Sequence, residues 1–341
     1  MAPIDRSNVV LRAYRGPDDH PAMNAVRNAV RAFNGDPDVG TLADMDNYYA
    51  HLDHADLPRD CALVEVDGDP VAYARASWEE LAGVGRRIDS VVFVSPRSRG
   101  IGVEERLVDH VLRRSETLIP EIGAEETVTL ITYADGLDTE LIRLLERLGL
   151  ERVRRGAALV RPTLDAIPDL PIPAPFVVRP IASDDQAMHR KVFEANKRAF
   201  ADSYGATASS TEQWEAFIGF ARFDPPLWRV AFDGEEIAGQ ILNYLGEPEA
   251  DGSRIGFTEE ITVQPEYRRR GLARALLAAS LRAVRDAGAI SGALSVDTQN
   301  PNQALTLYES LGFRIVSESF VYQLGPFPAG SRPSLPEVPP R

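Results

Sequence analysis

The stretch Val263-Gln264-Pro265-Glu266-Tyr267-Arg268-Arg269-Arg270-Gly271-Leu272-Ala273-Arg274-Ala275-Leu276-Leu277 joins an apolar strand to an amphipathic helix through a basic turn. The strand runs out at Pro265, where an amide donor is lost. The helix begins near Gly271 and carries Leu272, Leu276, Leu277 and Leu281 on one face. The first turn of a helix leaves its N–H groups without partners. Those amides and the helix dipole together make an anion site. Gly271 and Ala273 are small enough for a phosphate to approach the backbone. Arg268, Arg269 and Arg270 add charge that persists at any relevant pH. A basic first turn opposes the dipole unless an anion is bound, which favours a pyrophosphate loop over an ordinary helix start.

Downstream, Asn300-Pro301-Asn302-Gln303-Ala304-Leu305-Thr306-Leu307-Tyr308-Glu309-Ser310-Leu311-Gly312-Phe313 reads as a strand end, a helix and a glycine stop. Asn302, in the first turn, can offer an amide to a ligand. Tyr308, on another face, can protonate a thiolate leaving group. Half-buried packing is the competing reading for Tyr308.

Upstream, the same order of elements occurs a second time. Pro162, Pro168, Pro171, Pro173 and Pro175 mark an extended linker. The chain is thereby expected to divide into a first domain at 1–161, a linker at 162–175, a second domain at 176–324 and an extended proline-rich tail at 325–341. Each half has a hairpin at an Asp-Gly turn, Asp67–Gly68 and Asp233–Gly234. In each half an apolar strand then ends in proline, before a basic glycine turn and a helix. Gly68 and Gly234 lie 166 residues apart, Pro96 and Pro265 169, and Gly149 and Gly312 163. The pattern predicts one α/β fold occurring twice, an α+β mixed sheet flanked by helices.

Composition narrows the function. The chain has 341 residues, 44% hydrophobic and 26% charged, which suits two globular domains. A net charge of −14 argues against nucleic acid and against anionic membranes as partners. No apolar run reaches the ~18 residues of a membrane span. MAPIDRSNVVLRAY contains no apolar signal core, so a cytoplasmic location is expected. Cys61, the one cysteine, lies in the apolar run CALVEV and reads as a core residue, not a nucleophile. His51 and His54 have helical spacing but no third ligand nearby, so no metal is expected.

Taken together, RxxGxA after a strand-ending proline and NxxAxxLYxxLGF some thirty residues later resemble the GNAT superfamily of N-acetyltransferases, over 176–324. The resemblance implies two central strands that splay apart around acetyl-CoA. It places the pyrophosphate on Arg268, Arg269, Arg270, Gly271, Leu272 and Ala273, and the pantetheine arm along Ile261, Thr262 and Val263. It also implies that Asn302 contacts the cofactor and that Tyr308 is the general acid. The acceptor would be a small-molecule amine, and a homodimer is left open.

This chain departs from the family pattern in both halves. Relatives carry a glutamate base where Phe257 stands here. Strand parity puts Glu259 on that face, and Glu259 is the expected base, with a salt-bridge role as its alternative. In the first domain, Glu104, Thr139 and Leu145 stand where Ala273, Asn302 and Tyr308 stand in the second. A carboxylate at Glu104 would repel a pyrophosphate, so the first domain is expected to be structural. A second register, using Arg97, Gly100 and Gly102, puts Glu105 and Arg106 at core positions and is not preferred. Trp214, Phe217, Phe223 and Trp228 are expected to line the acceptor side. The competing function is a non-catalytic acyl-CoA-binding sensor. Paired domains of this kind also occur in aminoacyl transferases, which need a nucleic-acid partner that the acidic charge disfavours.

Overall fold

In the computed structural model, residues 9–82, 85–122, 127–299 and 304–339 are described. The elements, in chain order, are β1 (Val9–Ala13), α1 (His20–Asn34), α2 (Leu42–Ala50), α3 (Leu57–Asp60), β2 (Cys61–Val66), β3 (Asp69–Glu80), β4 (Arg86–Val94), α4 (Val103–Glu121), β5 (Thr127–Asp135), α5 (Thr139–Arg147) and β6 (Glu151–Arg161). They continue with β7 (Val177–Arg179), α6 (Gln186–Phe200), α7 (Thr211–Ile218), β8 (Arg229–Asp233), β9 (Glu236–Leu245), β10 (Arg254–Val263), α8 (Leu272–Asp286), β11 (Ala289–Asp297), α9 (Ala304–Ser310) and β12 (Arg314–Pro328).

The chain divides into two units. One comprises Met1–Arg155, Ser210–Ala216 and Ser317–Arg341, and the other Gly156–Ser209 and Phe217–Val316. The sheet of the first unit has the order β1-β2-β3-β4-β5-β12, and that of the second β6-β11-β10-β9-β8-β7. In each, the only parallel pair among the described residues is the one linked through a long helix, β4–β5 by α4 and β10–β11 by α8. The others are antiparallel, and Asp67 and Gly68, both at positive φ, close the first hairpin tightly.

These units depart from the boundaries read from the proline runs. The closing strand of each half pairs in the sheet of the other unit. Gly156–Arg161 of β6 lies against Asp297–Gly292 of β11, and Ser319–Pro328 of β12 lies against Asp135–Thr127 of β5. The extended stretch from Gly325 begins inside β12, which runs to Pro328. Leu335 is buried in the core of the first unit, and its amide donates to Glu116 on α4. The linker packs on the second unit, with Leu164 buried and its amide bonded to the Ile290 carbonyl.

In each unit, alternate strand residues feed two cores, one per sheet face. In the second unit Ala231, Ala238 and Ile241 meet Leu272, Leu276 and Leu281 of α8. Their neighbours Val230, Phe232, Ile237 and Leu242 meet Val192 and Ala195 of α6. In the first unit Ala72 and Ala74 face Leu107 and Val111 of α4, while Leu63 and Tyr73 face Met23 of α1 and Tyr49 of α2. Cys61 belongs to the latter core, fully buried, with its thiol pushed up to about 12 by desolvation.

Candidate active site

Strands β10 and β11 pair only as far as Phe257 and Ala293. Beyond that point β11 stays with β6 as far as Asp297, and β10 stays with β9 as far as Val263. The two strands therefore part, and the edge of β10 carrying Ile261, Thr262 and Val263 has no β11 partner among the described residues. Thr258 bridges the start of the fork by donating to the Ala293 carbonyl at 3.3 Å.

Glu259 sits at the fork itself. Its carboxylate accepts the backbone amide of Ser295 on β11 at 3.1 Å. Immediately after it, β10 bulges. Glu259 pairs with Leu242 and Thr262 with Gln240, so Glu260 and Ile261 share the single partner position between them. Glu260 takes the strain of the bulge at φ 52, and its exposed carboxylate accepts from Asn196 of α6 at 2.6 Å. The bulge falls after Glu259, so the parity from Phe257 to Glu259 is intact, and the two glutamates have different partners. Gly239 pairs with Val263 just beyond the bulge, where a Cβ would come within 2.8 Å of the Thr262 carbonyl.

Tyr308, on α9, is 5% exposed, with its ring edge-on to Phe313. Burial pushes its hydroxyl well above the ordinary range, and the Glu259 charge adds to the rise. Tyr308 therefore keeps its proton throughout the neutral range, and the fold brings it within the field of Glu259. Asn302 lies outside the described residues.

The basic turn has the backbone of an anion loop. After one 3-10 turn at Pro265–Tyr267, Arg268 is extended, Arg269 is left-handed at φ 61, and Gly271 is left-handed at φ 79 as the N-cap of α8. Left-handed residues among right-handed ones turn successive amides toward one point. No side chain caps α8, which starts with Leu272 buried and Ala273 half-buried. The three arginines differ in what they do. Arg268 donates to the carbonyls of Val263 (3.1 Å) and Ala199 (3.0 Å), tying the turn to the end of α6. Arg270 donates to the Glu266 carbonyl and lies over the Tyr267 ring. Arg269 is exposed and has no ion pair among the described residues. Two of the three guanidiniums thus shape the loop, and Arg269 is the one left exposed.

Arg268 is one of three side chains that hold α6. Gln240 donates to the Val192 carbonyl at 3.1 Å, and Gln264 to the Ala195 carbonyl at 2.7 Å. Neither glutamine belongs to a motif, so sequence reasoning had no pointer to them. The bulge did leave a trace there: the offset between the halves rises from 166 at the hairpin glycines to 169 at the prolines, an insertion that includes Glu260.

The aromatic residues expected on the acceptor side separate. Trp228 is buried against Phe223 and Phe217, a core cluster in place of a wall. Trp214 belongs to the segment Ser210–Ala216 that groups with the first unit. Next to the fork, Tyr244 stacks on Phe257 at 4.9 Å and Phe220 meets it edge-on at 5.2 Å. The Arg222 guanidinium lies 4.5 Å over the Tyr244 ring.

The first unit repeats the fork with different side chains. Its β4–β5 ladder ends at Ser90 and Thr132, and Ser90 donates to the Ile131 carbonyl as Thr258 does to that of Ala293. Strands β3 and β4 pair without a bulge, and the residue matching Glu259 is Val91. Gly102 is the left-handed N-cap of α4, which fixes the register that aligns it with Gly271 and Glu104 with Ala273. Arg99, the counterpart of Arg268, instead pairs with Asp138 at 3.2 Å, a buried latch between the end of β4 and the start of α5. Leu145 is buried in the core where Tyr308 stands in the second unit.

Comparison with known proteins agrees with this geometry. Residues 191–313 match the acetyltransferase (GNAT) family. Mycothiol acetyltransferase of Salinispora tropica is 31% identical over 236 residues, covering 66% of this chain and 74% of that protein. That of Rhodococcus jostii is 30% identical over 260 residues, covering 74% and 78%. A GCN5-related N-acetyltransferase from Sphaerobacter thermophilus superposes with a TM-score of 0.66 at 27% identity, covering 94% of this chain and 96% of that one. A tandem GNAT protein from the clavulanic acid biosynthesis pathway shares the fold, with a TM-score of 0.64 at 17% identity, covering 94% of this chain and 99% of that one. A forked mixed sheet, an open anion loop at the start of α8 and relatives of this identity over most of their length mean that the chain belongs to the GNAT family and is an acyltransferase acting on an amine.

Proposed function

We propose that the second unit transfers an acetyl group from acetyl-CoA to the amine of a small molecule resembling a mycothiol precursor, and that the first unit is structural. The observation that carries this reading is the fork. Glu259 and Tyr308 gather where β10 and β11 part, and the open edge of β10 runs from there to the amides of the loop. The diphosphate would lie on Arg269–Ala273, and the pantetheine arm along Ile261–Val263. The acceptor would stand against Tyr244 and Phe220, whose rings and neighbouring Arg222 suit a polar ring compound. The mycothiol acetyltransferases among the relatives favour an acceptor of the mycothiol kind.

The residues divide the proton work. Glu259, held by the Ser295 amide, takes a proton from the acceptor ammonium, directly or through water. The amine lone pair is then available to the thioester carbonyl, forming the C–N bond. As the C–S bond breaks, Tyr308 gives its proton to the departing thiolate, whose conjugate acid has a pKa near ~8.5, and the second nitrogen proton, made acidic by the new C–N bond, passes through water to restore the Tyr308 hydroxyl.

Titration calorimetry with acetyl-CoA tests the binding half of this reading, and thiol release over a panel of amines tests the chemistry. One site per chain, abolished by Gly271→Glu, together with amine-dependent thiol release, is expected. Two equivalent sites would overturn the structural role of the first unit. Binding without thiol release for any amine would make the protein a sensor.

A further inference from the structure

The loop of the first unit matches that of the second residue by residue. A 3-10 turn at Pro96–Ser98 is followed by an extended Arg99, a left-handed Gly100 at φ 75 and a left-handed Gly102 at φ 96 that opens α4 without a side-chain cap. The corresponding residues of the second unit, Arg268, Arg269 and Gly271, have the same three conformations. The backbone of an anion loop is therefore present twice.

What differs is its contents. At the position of Ala273 stands Glu104, 1% exposed, and its Oε1 accepts the Gly100 amide at 2.9 Å. Its Oε2 is buried with no hydrogen-bond partner among the described residues. A carboxylate buried with half its acceptor capacity unspent is expensive in a core. Nothing in the packing of α4 calls for one, because Val103, Leu107 and Val108 already fill the apolar face. Its position, facing loop amides at a helix N-terminus, offsets part of that cost.

We propose that the first unit retains a diphosphate-binding loop whose anion is the chain's own Glu104 carboxylate, and that removing this side chain exposes a second diphosphate site. Glu105 and Asp138 add negative charge nearby, and Arg99 is engaged by Asp138. The exposed site should therefore bind more weakly than the loop of the second unit. It should also take inorganic pyrophosphate more readily than a whole coenzyme, because the Arg99–Asp138 latch lies beside it.

The test uses the full chain carrying Gly271→Glu, which silences the loop of the second unit, and inorganic pyrophosphate as the probe. In that background, Glu104→Ala should show saturable 1:1 binding by calorimetry and a shift of the Gly100 amide resonance. The parent and Glu104→Gln, which keeps the loop filled, should show neither. Glu104→Ser serves as a second opening variant, and far-UV circular dichroism checks that each variant folds. Absence of binding in both folded opening variants overturns the proposal, as does binding to the parent. Failure of the proposed acetyl transfer would be seen separately, as loss of coenzyme binding or thiol release in the wild-type chain.

Discussion

Replacing Glu104 by glutamine should make the protein more stable at pH 8 and leave it nearly unchanged at pH 4. Desolvation, the largest influence, raises the Glu104 carboxyl from 4.5 to about 7, with the Gly100 amide opposing the rise and Asp138 and Glu105 adding to it. A group whose pKa is raised on folding contributes stability that is fully present below its unfolded value. That contribution is lost as the pH rises through the folded value. A rise of this size corresponds to about 3 kcal/mol, an upper figure for the cost of ionising Glu104 in place. Glutamine keeps the shape and the acceptor for Gly100 but cannot ionise, so the variant should avoid most of that cost. Urea unfolding of both proteins between pH 4 and pH 8 is the assay. The gap between them should open from near zero at pH 4 to roughly 2–3 kcal/mol at pH 8. Parallel curves would refute the reasoning, because they would mean that Glu104 is solvated or paired and its burial carries no electrostatic penalty. A gap of the opposite sign would mean that the ionised carboxylate is stabilised by the loop more than it is penalised by desolvation.

Three further outcomes are expected. Tyr308→Phe should keep acyl-CoA affinity and lose turnover by ~10²–10⁴-fold, and an unchanged rate would show that water protonates the thiolate. Glu259→Gln should flatten the rising limb of kcat against pH while Glu260→Gln preserves it, because Glu259 holds the Ser295 amide at the fork and Glu260 turns to Asn196. The reverse result would put the base on the bulge residue. Arg268→Gln should destabilise the fold by roughly 2–4 kcal/mol in urea unfolding, the loss of its two charge-assisted hydrogen bonds to the Val263 and Ala199 carbonyls, with coenzyme Kd little changed. A weakened coenzyme with unchanged stability would mean that this guanidinium serves the diphosphate and not α6.

Much of the site was legible because it is local. A strand-ending proline, a basic turn and a leucine-faced helix are neighbours in the chain, so the anion loop around Gly271 could be read without knowing what surrounds it. The same holds for the internal repeat, for the misfit of Glu104, and for Tyr308 on a helix closed by Gly312. Each of these depends on residues a few positions apart, where backbone geometry and helical period decide the outcome.

Tertiary structure alone decided the rest. Three adjacent arginines carry the same charge in sequence, and only the carbonyls of Val263 and Ala199 turn Arg268 inward while Arg269 stays exposed. Strand parity favoured Glu259, but its place at the fork depends on the Ser295 amide, which comes from another strand. The aromatic run from Phe217 to Trp228 could be seen as aromatic but not as core, because which face of the sheet it covers is set by packing. The exchange of β6 and β12 is of the same kind. Both are alternating strands able to pair antiparallel with an open edge, and β5 and β11 each offer one. The pattern within a strand fixes which face is apolar, and which of two similar edges it joins depends on distant parts of the chain.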